Sequence, residues 1–343
     1  MWDKVLGHTQ IKDFLASYLE REERPHALLF SGAEGLGKRK LALEFARSLL
    51  CFRHSEGDGC DACRLMNLDD GNLSHPDFLH IVREEDPKTH RLKDLSIDQM
   101  RDLVSKSAFA PVMSPVKVCL IEDVDKMGEP AANSFLKLLE EPPQGWVFIL
   151  LATSPDRLLT TILSRVVHLR FHSIPLPLVE KSLAAYDFAD SGLPPIASEQ
   201  LPVLARLSEG SLGLAVQYYE QQIFSYRELA YAFLEALPLA SPVGYLTGRV
   251  WVEKYERPEA LLFVQVLQLL FRDLLTCKLQ VNTELYNCDL ESGIMNLAHK
   301  WKTKNIKKAL EIVQETYVAL VTNVGMKLAM EAMALKIDKI SKE

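Results

Sequence analysis

Positive charge is in short supply in this chain. Lys and Arg number 39 against 46 Asp and Glu, a net charge of −7. Such a balance argues against coating nucleic acid by bulk electrostatics, although it leaves room for a local basic face. Cysteine is scarce, with six in 343 residues. With no export pattern at the start, where Trp2, Asp3 and Lys4 break any apolar run, the expectation is a reducing cytoplasm. No long hydrophobic run is free of polar groups. The most apolar stretch, Ala260 to Leu279, contains Gln265, Gln268, Arg272 and Asp273, which suits a buried helix better than a membrane span. No internal repeat or low-complexity tract is evident. Ordinary globular composition remains, with 48% hydrophobic and 25% charged residues, in a chain long enough for two or three domains.

One further absence is chemical. Gly32-Ala33-Glu34-Gly35-Leu36-Gly37-Lys38-Arg39 has the glycines and lysine of a phosphate-binding loop, but Arg39 stands where a Ser or Thr hydroxyl would hold magnesium. A cation cannot coordinate a cation. The loop therefore retains phosphate-binding features in Gly32, Gly35, Gly37 and Lys38 without a standard metal ligand. Arg39 opens a helix, where its charge opposes the dipole yet attracts phosphate.

The first half alternates short β-rich runs with helical patterns, predicting a parallel sheet covered by helices. The expected strands are Ala27–Phe30, Phe78–Val82, Lys117–Ile121, Val147–Ala152 and Val166–Arg170, whose near-continuous apolar character fits burial on both faces. Leu41, Ala42, Phe45, Ala46, Leu49 and Leu50 recur at helical spacing, which sets the glycine loop between a strand and a helix. Beyond Phe171 the strand signal fades, and Pro175 and Pro177 mark a hinge. The expected domains are 1–172 (α/β), 173–221 (small and helical) and 222–343 (helical). A stripe of Leu310, Val313, Tyr317, Leu320 and Val321 reads as a bundle core rather than a ligand site.

Several phrases together resemble the clamp-loader branch of the AAA+ family. They are Trp2-Asp3-Lys4-Val5-Leu6-Gly7-His8 at the start, Arg24 to Phe30 leading into the glycine loop, and Ala132 to Pro143, which contains Leu138-Leu139-Glu140-Glu141-Pro142-Pro143. Thr153 is similar to the polar sensor that ends a central strand. Ile162-Leu163-Ser164-Arg165-Val166 resembles the phrase that carries the arginine finger, with Val166 in place of cysteine. Asn323 to Glu331 is similar to a last collar helix. The resemblance spans nearly the whole chain in order. It implies a five-stranded parallel AAA+ sheet with helices on both faces, a small helical lid and a C-terminal helical collar.

The departures from the family pattern point one way. Glu122-Asp123 ends a strand where active members have Asp then Glu, so both carboxylates are misplaced by one methylene for magnesium and the attacking water. Gly213 stands where active members carry an arginine. With Arg39, these suggest a non-motor subunit without useful ATP hydrolysis, ATP binding at Lys38 being a separate matter. Arg165 is retained, and the resemblance implies that it reaches a neighbour's ATP; a helix-capping or ion-paired surface arginine is the plainer alternative. The implied partners are the gamma/tau and delta subunits of the DNA polymerase III clamp loader, and through the complex the sliding clamp and primer-template DNA. The competing reading is an active gamma/tau-like or helicase-type ATPase that uses Lys38 for phosphate, Thr153 to sense water, and Glu122 or Asp123 for magnesium. A P-loop kinase is disfavoured, since no lid-like basic segment occurs.

Cys51, Cys60 and Cys63 have the spacing Cys-x8-Cys-x2-Cys, and zinc-bearing family members continue with x2-Cys, where this chain has Met66. A thioether is a poor zinc ligand, so His54 or His75 would have to complete the site. The alternative is a loop that has lost its metal. Cys119, Cys277 and Cys288 read as packing residues.

Overall fold

The computed structural model describes residues 2–21, 23–51, 60–68, 71, 73–87, 92–188, 191–241, 256–322 and 325–343. The chain divides into two compact units, Met1–Ile174 and Pro175–Glu343.

The first unit is built on a parallel sheet of five strands in the order β2-β3-β4-β1-β5. The strands are β1 Ala27–Ser31, β2 Phe78–Ile81, β3 Lys117–Ile121, β4 Trp146–Ala152 and β5 Val167–Arg170. Side chains alternate between faces, so each strand feeds two cores. On one face Leu28, Phe30, Val118, Leu120 and Ile149 meet Leu15 and Tyr18 of helix α1 (Thr9–Glu20) and Leu41, Phe45 and Leu49 of α2 (Lys38–Leu50). On the other, Leu29, Cys119, Ile121, Phe148 and Leu150 pack on Met100 and Leu103 of α4 (Ile97–Ser107) and on Phe135 and Leu138 of α5 (Glu129–Glu140). The short helices α3 (Asp61–Leu65) and α6 (Thr160–Leu163) complete this unit.

Burial on both faces holds for β1, β3 and β4 throughout, but β2 and β5 are only partly buried. They are the edges of the sheet, where one flank lacks a neighbouring strand. Val82 and Val166 lie outside their expected strands, and Trp146 joins β4.

The second unit is helical, with helices at Leu176–Ala184, Leu201–Leu207, Leu212–Glu220, Ile223–Glu235, Arg257–Leu279, Glu291–Lys300, Thr303–Val321 and Met326–Ser341. Among the described residues, only Arg257–Leu279 is long and apolar enough to cross a membrane, by length and composition. Its Phe263, Val264, Leu267, Leu270 and Phe271 are fully or almost fully buried in the unit. Its one wholly buried charge, Asp273, accepts hydrogen bonds from the N–H groups of Tyr286 and Asn287 and from Asn287 Nδ2 at 2.8–3.1 Å. A buried carboxylate with this many donors is satisfied in place.

The stripe on Thr303–Val321 needs correction. Ile306, Ala309, Val313, Thr316 and Leu320 form the buried face, whereas Val321 is 54% exposed. At 100° per residue, Val321 has rotated off the seam that Leu320 occupies. Of the last phrase singled out in the sequence, Asn323 and Val324 lie outside the described residues, and its helix begins at Met326.

Candidate nucleotide-type site

The carboxyl ends of β1, β3 and β4 lie side by side, as parallel pairing requires, and each carries a singled-out residue. From β1 the chain enters the glycine loop at Gly32, whose N–H bonds Ala152 O at 3.2 Å. Gly32 has φ +143°, and a Cβ there would lie 2.5 Å from Phe171 O, so only glycine fits between the two strand ends. Gly35 and Gly37 have φ +72° and +86°, which turns the loop into the start of α2. The opening segment closes over this turn. His8 Nε2 meets Leu36 O at 2.9 Å, its ring lies 4.6 Å from that of Phe171, and Trp2 Nε1 donates to Ser48 Oγ on α2.

Lys38, first residue of α2, folds back and donates from Nζ to Gly32 O and Ala33 O, both at 2.6 Å. Burial lowers its pKa, against the raising influence of Glu34, Asp123 and Asp125. Its ammonium is thus centred over the loop.

Arg39 Nε lies 2.8 Å from Glu122 Oε1, at the end of β3. The same carboxylate oxygen is 2.6 Å from His80 Nε2 on the neighbouring strand β2. Burial pushes the Glu122 carboxyl up, but the bond to His80 and the charge and hydrogen bond of Arg39 outweigh it and hold the group below its ordinary value. One oxygen of the Glu122 carboxylate is therefore engaged by two side chains of its own fold. Asp123 behaves oppositely. It sits in left-handed backbone (φ +54°), and burial, then the charges of Asp125, Glu122 and Glu34, raise its pKa despite Arg83 Nη1 at 3.8 Å.

Thr153 follows β4, and its N–H and that of Ser154 donate to the two oxygens of Asp125, both at 3.2 Å. Asp125 is buried and ties the end of β4 to the turn after β3. Sequence reasoning missed both His80 and Asp125. His80 reaches Glu122 because β2 pairs in register with β3, His80 lying opposite Leu120, a pairing the sequence alone does not give. For Asp125 there was no signal, since an acid in a turn reads as solvated.

Arg165 lies just beyond α6. Its Nη1 donates to Thr161 O (3.0 Å) and Ser164 Oγ (3.2 Å), and its Nη2 pairs with Glu140 Oε1 at 3.0 Å. Gly213 lies in the other unit, in the first turn of Leu212–Glu220, which Ser211 caps by accepting from the Leu214 N–H.

The thiols of Cys51, Cys60 and Cys63 come together within 4.8 Å of one another. Cys51 Sγ and Cys60 Sγ are 3.8 Å apart, about the edge of a tetrahedron with ~2.3 Å metal–sulfur bonds. Burial and the two neighbouring thiols raise the Cys63 pKa. Met66 is fully buried in the core beside α2 and α3. His75 is engaged elsewhere: Nδ1 accepts from the Asp77 N–H at 3.0 Å, and Nε2 lies 3.1 Å from Ser114 Oγ. His54 lies outside the described residues. Cys119 is buried in β3, while Cys277 and Cys288 are half-buried.

Comparison with known proteins gives two family matches. The profile described as "DNA polymerase III, delta subunit" matches residues 7–175, and that described as "DNA polymerase III, delta subunit, C terminal" matches residues 251–339. A DNA polymerase III subunit delta' from Pseudomonas aeruginosa is 37% identical over 56% of this chain, an alignment that covers 55%, about half, of that relative. A subunit delta' from Bacillus subtilis is 26% identical over 96% of both chains. A DNA polymerase III subunit tau from Escherichia coli is 30% identical over 64% of this chain and 33% of its own length.

Proposed function

Because this chain belongs to the DNA polymerase III delta-subunit family, with delta' proteins among its relatives, we propose that it is a non-motor subunit of the clamp loader. In this reading it helps open the sliding clamp and load it onto primer-template DNA. Its first unit docks against an ATP-bearing gamma/tau-type neighbour and presents Arg165 to that neighbour's phosphates. Its helices beyond about residue 222 form a collar with gamma/tau and delta subunits, and those at 173–221 a small lid domain. Contact with clamp and DNA comes through the assembly, in keeping with a net charge of −7.

One observation carries the non-motor part. Arg39 replaces the magnesium-binding hydroxyl and also pairs with Glu122, the acid nearest the metal position. Phosphoryl transfer in P-loop proteins depends on a metal held by that hydroxyl and an acid. Here one residue removes the first ligand and neutralises the second. The loop glycines retain positive φ and the Lys38 ammonium lies over the loop, which supports treating nucleotide binding as separable from turnover.

The thiols of Cys51, Cys60 and Cys63 fit a structural zinc ion, with a fourth donor still to be assigned; such an ion would staple α3 to the end of α2.

The test is co-purification with gamma/tau and delta subunits, then ATP turnover with and without this chain. Expected are a stable complex, turnover that rises when this chain is added, and no turnover by the chain alone. Magnesium-dependent turnover by the isolated chain on the order of 1 s⁻¹, abolished by Lys38→Ala, would replace this reading with the motor ATPase.

A further inference from the structure

We infer that Glu140 is a positioning residue that parks Arg165, so that the arginine is delivered to a partner only when an ion pair within this chain opens. The inference rests on the reading of Arg165 as an arginine that acts on a neighbouring subunit, and deepens it.

Glu140 is the last residue of α5. Helix ends of this kind carry partial negative charge, and a carboxylate there is unfavourable unless a cation answers it. Arg165 is that cation. Its guanidinium donates to three acceptors at once: Glu140 Oε1 at 3.0 Å, Thr161 O in α6 at 3.0 Å, and Ser164 Oγ at 3.2 Å. The side chains of Arg165 and Glu140 are 35% and 50% exposed, so the pair sits at the surface, where either member can swing away.

A guanidinium that is to stabilise charge on a neighbour's transferring phosphoryl group works as an uncompensated cation in a dry interface. With a carboxylate 3.0 Å away, the pair has no net charge. Carried intact into an interface, it would also bring a desolvation cost with little return. The parked and delivered states are therefore alternatives. The pair is partly exposed, so parking is shallow, far weaker than the 10³–10⁵-fold effect such an arginine can exert on rate. Glu140 would then set how readily Arg165 leaves, without preventing it.

The experiment uses the reconstituted complex with its ATP-bearing neighbours and four versions of this chain: unchanged, Glu140→Gln, Arg165→Ala and the double variant. Arg165→Ala is expected to lower turnover. Glu140→Gln is expected to raise kcat by about 1.5- to five-fold at unchanged KM, the factor equivalent to the strength of exposed pairs. The gain should vanish in the Arg165→Ala background, and Glu140→Asp should return towards the unchanged level. A purely structural role for Glu140 would instead lower the melting temperature and weaken assembly. If Arg165→Ala lowers turnover while Glu140→Gln leaves it unchanged or reduced, parking is overturned and the arginine reading stands. If Arg165→Ala has no effect, both fall together.

Discussion

Arg39 and Glu122, 83 positions apart in the chain by number, form an ion pair at 2.8 Å across the gap between the start of α2 and the end of β3. In an active nucleotide site these two places hold a magnesium ion between them. Here a tethered guanidinium lies against the carboxylate instead. Two features that look like separate defects in the sequence are one compensated arrangement.

Arg39→Thr should therefore do more than remove a surface charge. It restores a hydroxyl and relieves Glu122 of one of its two partners, so that magnesium dependence of nucleotide binding should appear, most clearly when combined with Glu122→Asp. Titration with a fluorescent ATP analogue, with magnesium and with chelator, measures this. Equal magnesium response in the unchanged and substituted chains would show that the pair does not govern the metal.

Acid titration gives a signed test. Glu122 has a lowered pKa, so its contribution to folding is present above the ordinary glutamate value of 4.5 and is lost as pH falls through the lower folded value. Asp123 is raised, so it has the opposite sign: its contribution is present below the ordinary 3.8 and is lost as pH rises through the higher folded value. Urea unfolding between pH 3 and 7 should show Glu122→Gln flattening the acid-side loss of stability. For Asp123→Asn, stability relative to the unchanged chain should increase as pH rises through that range.

Gly32→Ala is expected to be costly. Its Cβ would meet Phe171 O at 2.5 Å in backbone with φ +143°. Strained backbone of this kind costs about 1–3 kcal/mol before the clash is counted. Denaturant melts should show a loss of at least that size, whereas Gly71→Ala, with nothing within 4 Å of the added carbon, should show only the strain of its φ +67°. Equal losses at the two positions would discount the contact with Phe171.

Metal analysis addresses the thiol cluster. About one zinc per chain is expected, and Cys60→Ser should abolish or sharply reduce it, because Cys60 also caps α3 by accepting from the Cys63 N–H. Cobalt substitution should give the absorption of a tetrahedral thiolate site. A chain that binds neither metal when reduced would leave the cluster as packing.

Much of the first unit was legible because its physics is local. Unbroken apolar runs such as Val147 to Ala152 suit only strands covered on both sides, and Gly32, Gly35 and Gly37 announce a backbone with positive φ. The edges were less legible. Phe78–Ile81 and Val167–Arg170 carry His80, His168 and Arg170 among their apolar residues, and their place at the sheet edges leaves them partly open. On Thr303–Val321 the apolar spacing marks Val313 and Leu320 of the buried seam, but Leu310 and Tyr317 are only partly buried and Val321 is exposed, because the packing of the neighbouring helices sets where the seam runs.

By itself the sequence determined that a hydroxyl is missing at Arg39, that a cation cannot replace it as a ligand, and that strand, glycine loop and helix follow in that order. Those are properties of residue type and spacing. Only the tertiary structure decided whom Arg39, Glu122 and Arg165 bind, and that His80 and Asp125 belong to the same constellation. Such pairings join residues brought close by parallel strand order, and an ion pair depends on distance in space, which spacing along a chain does not encode.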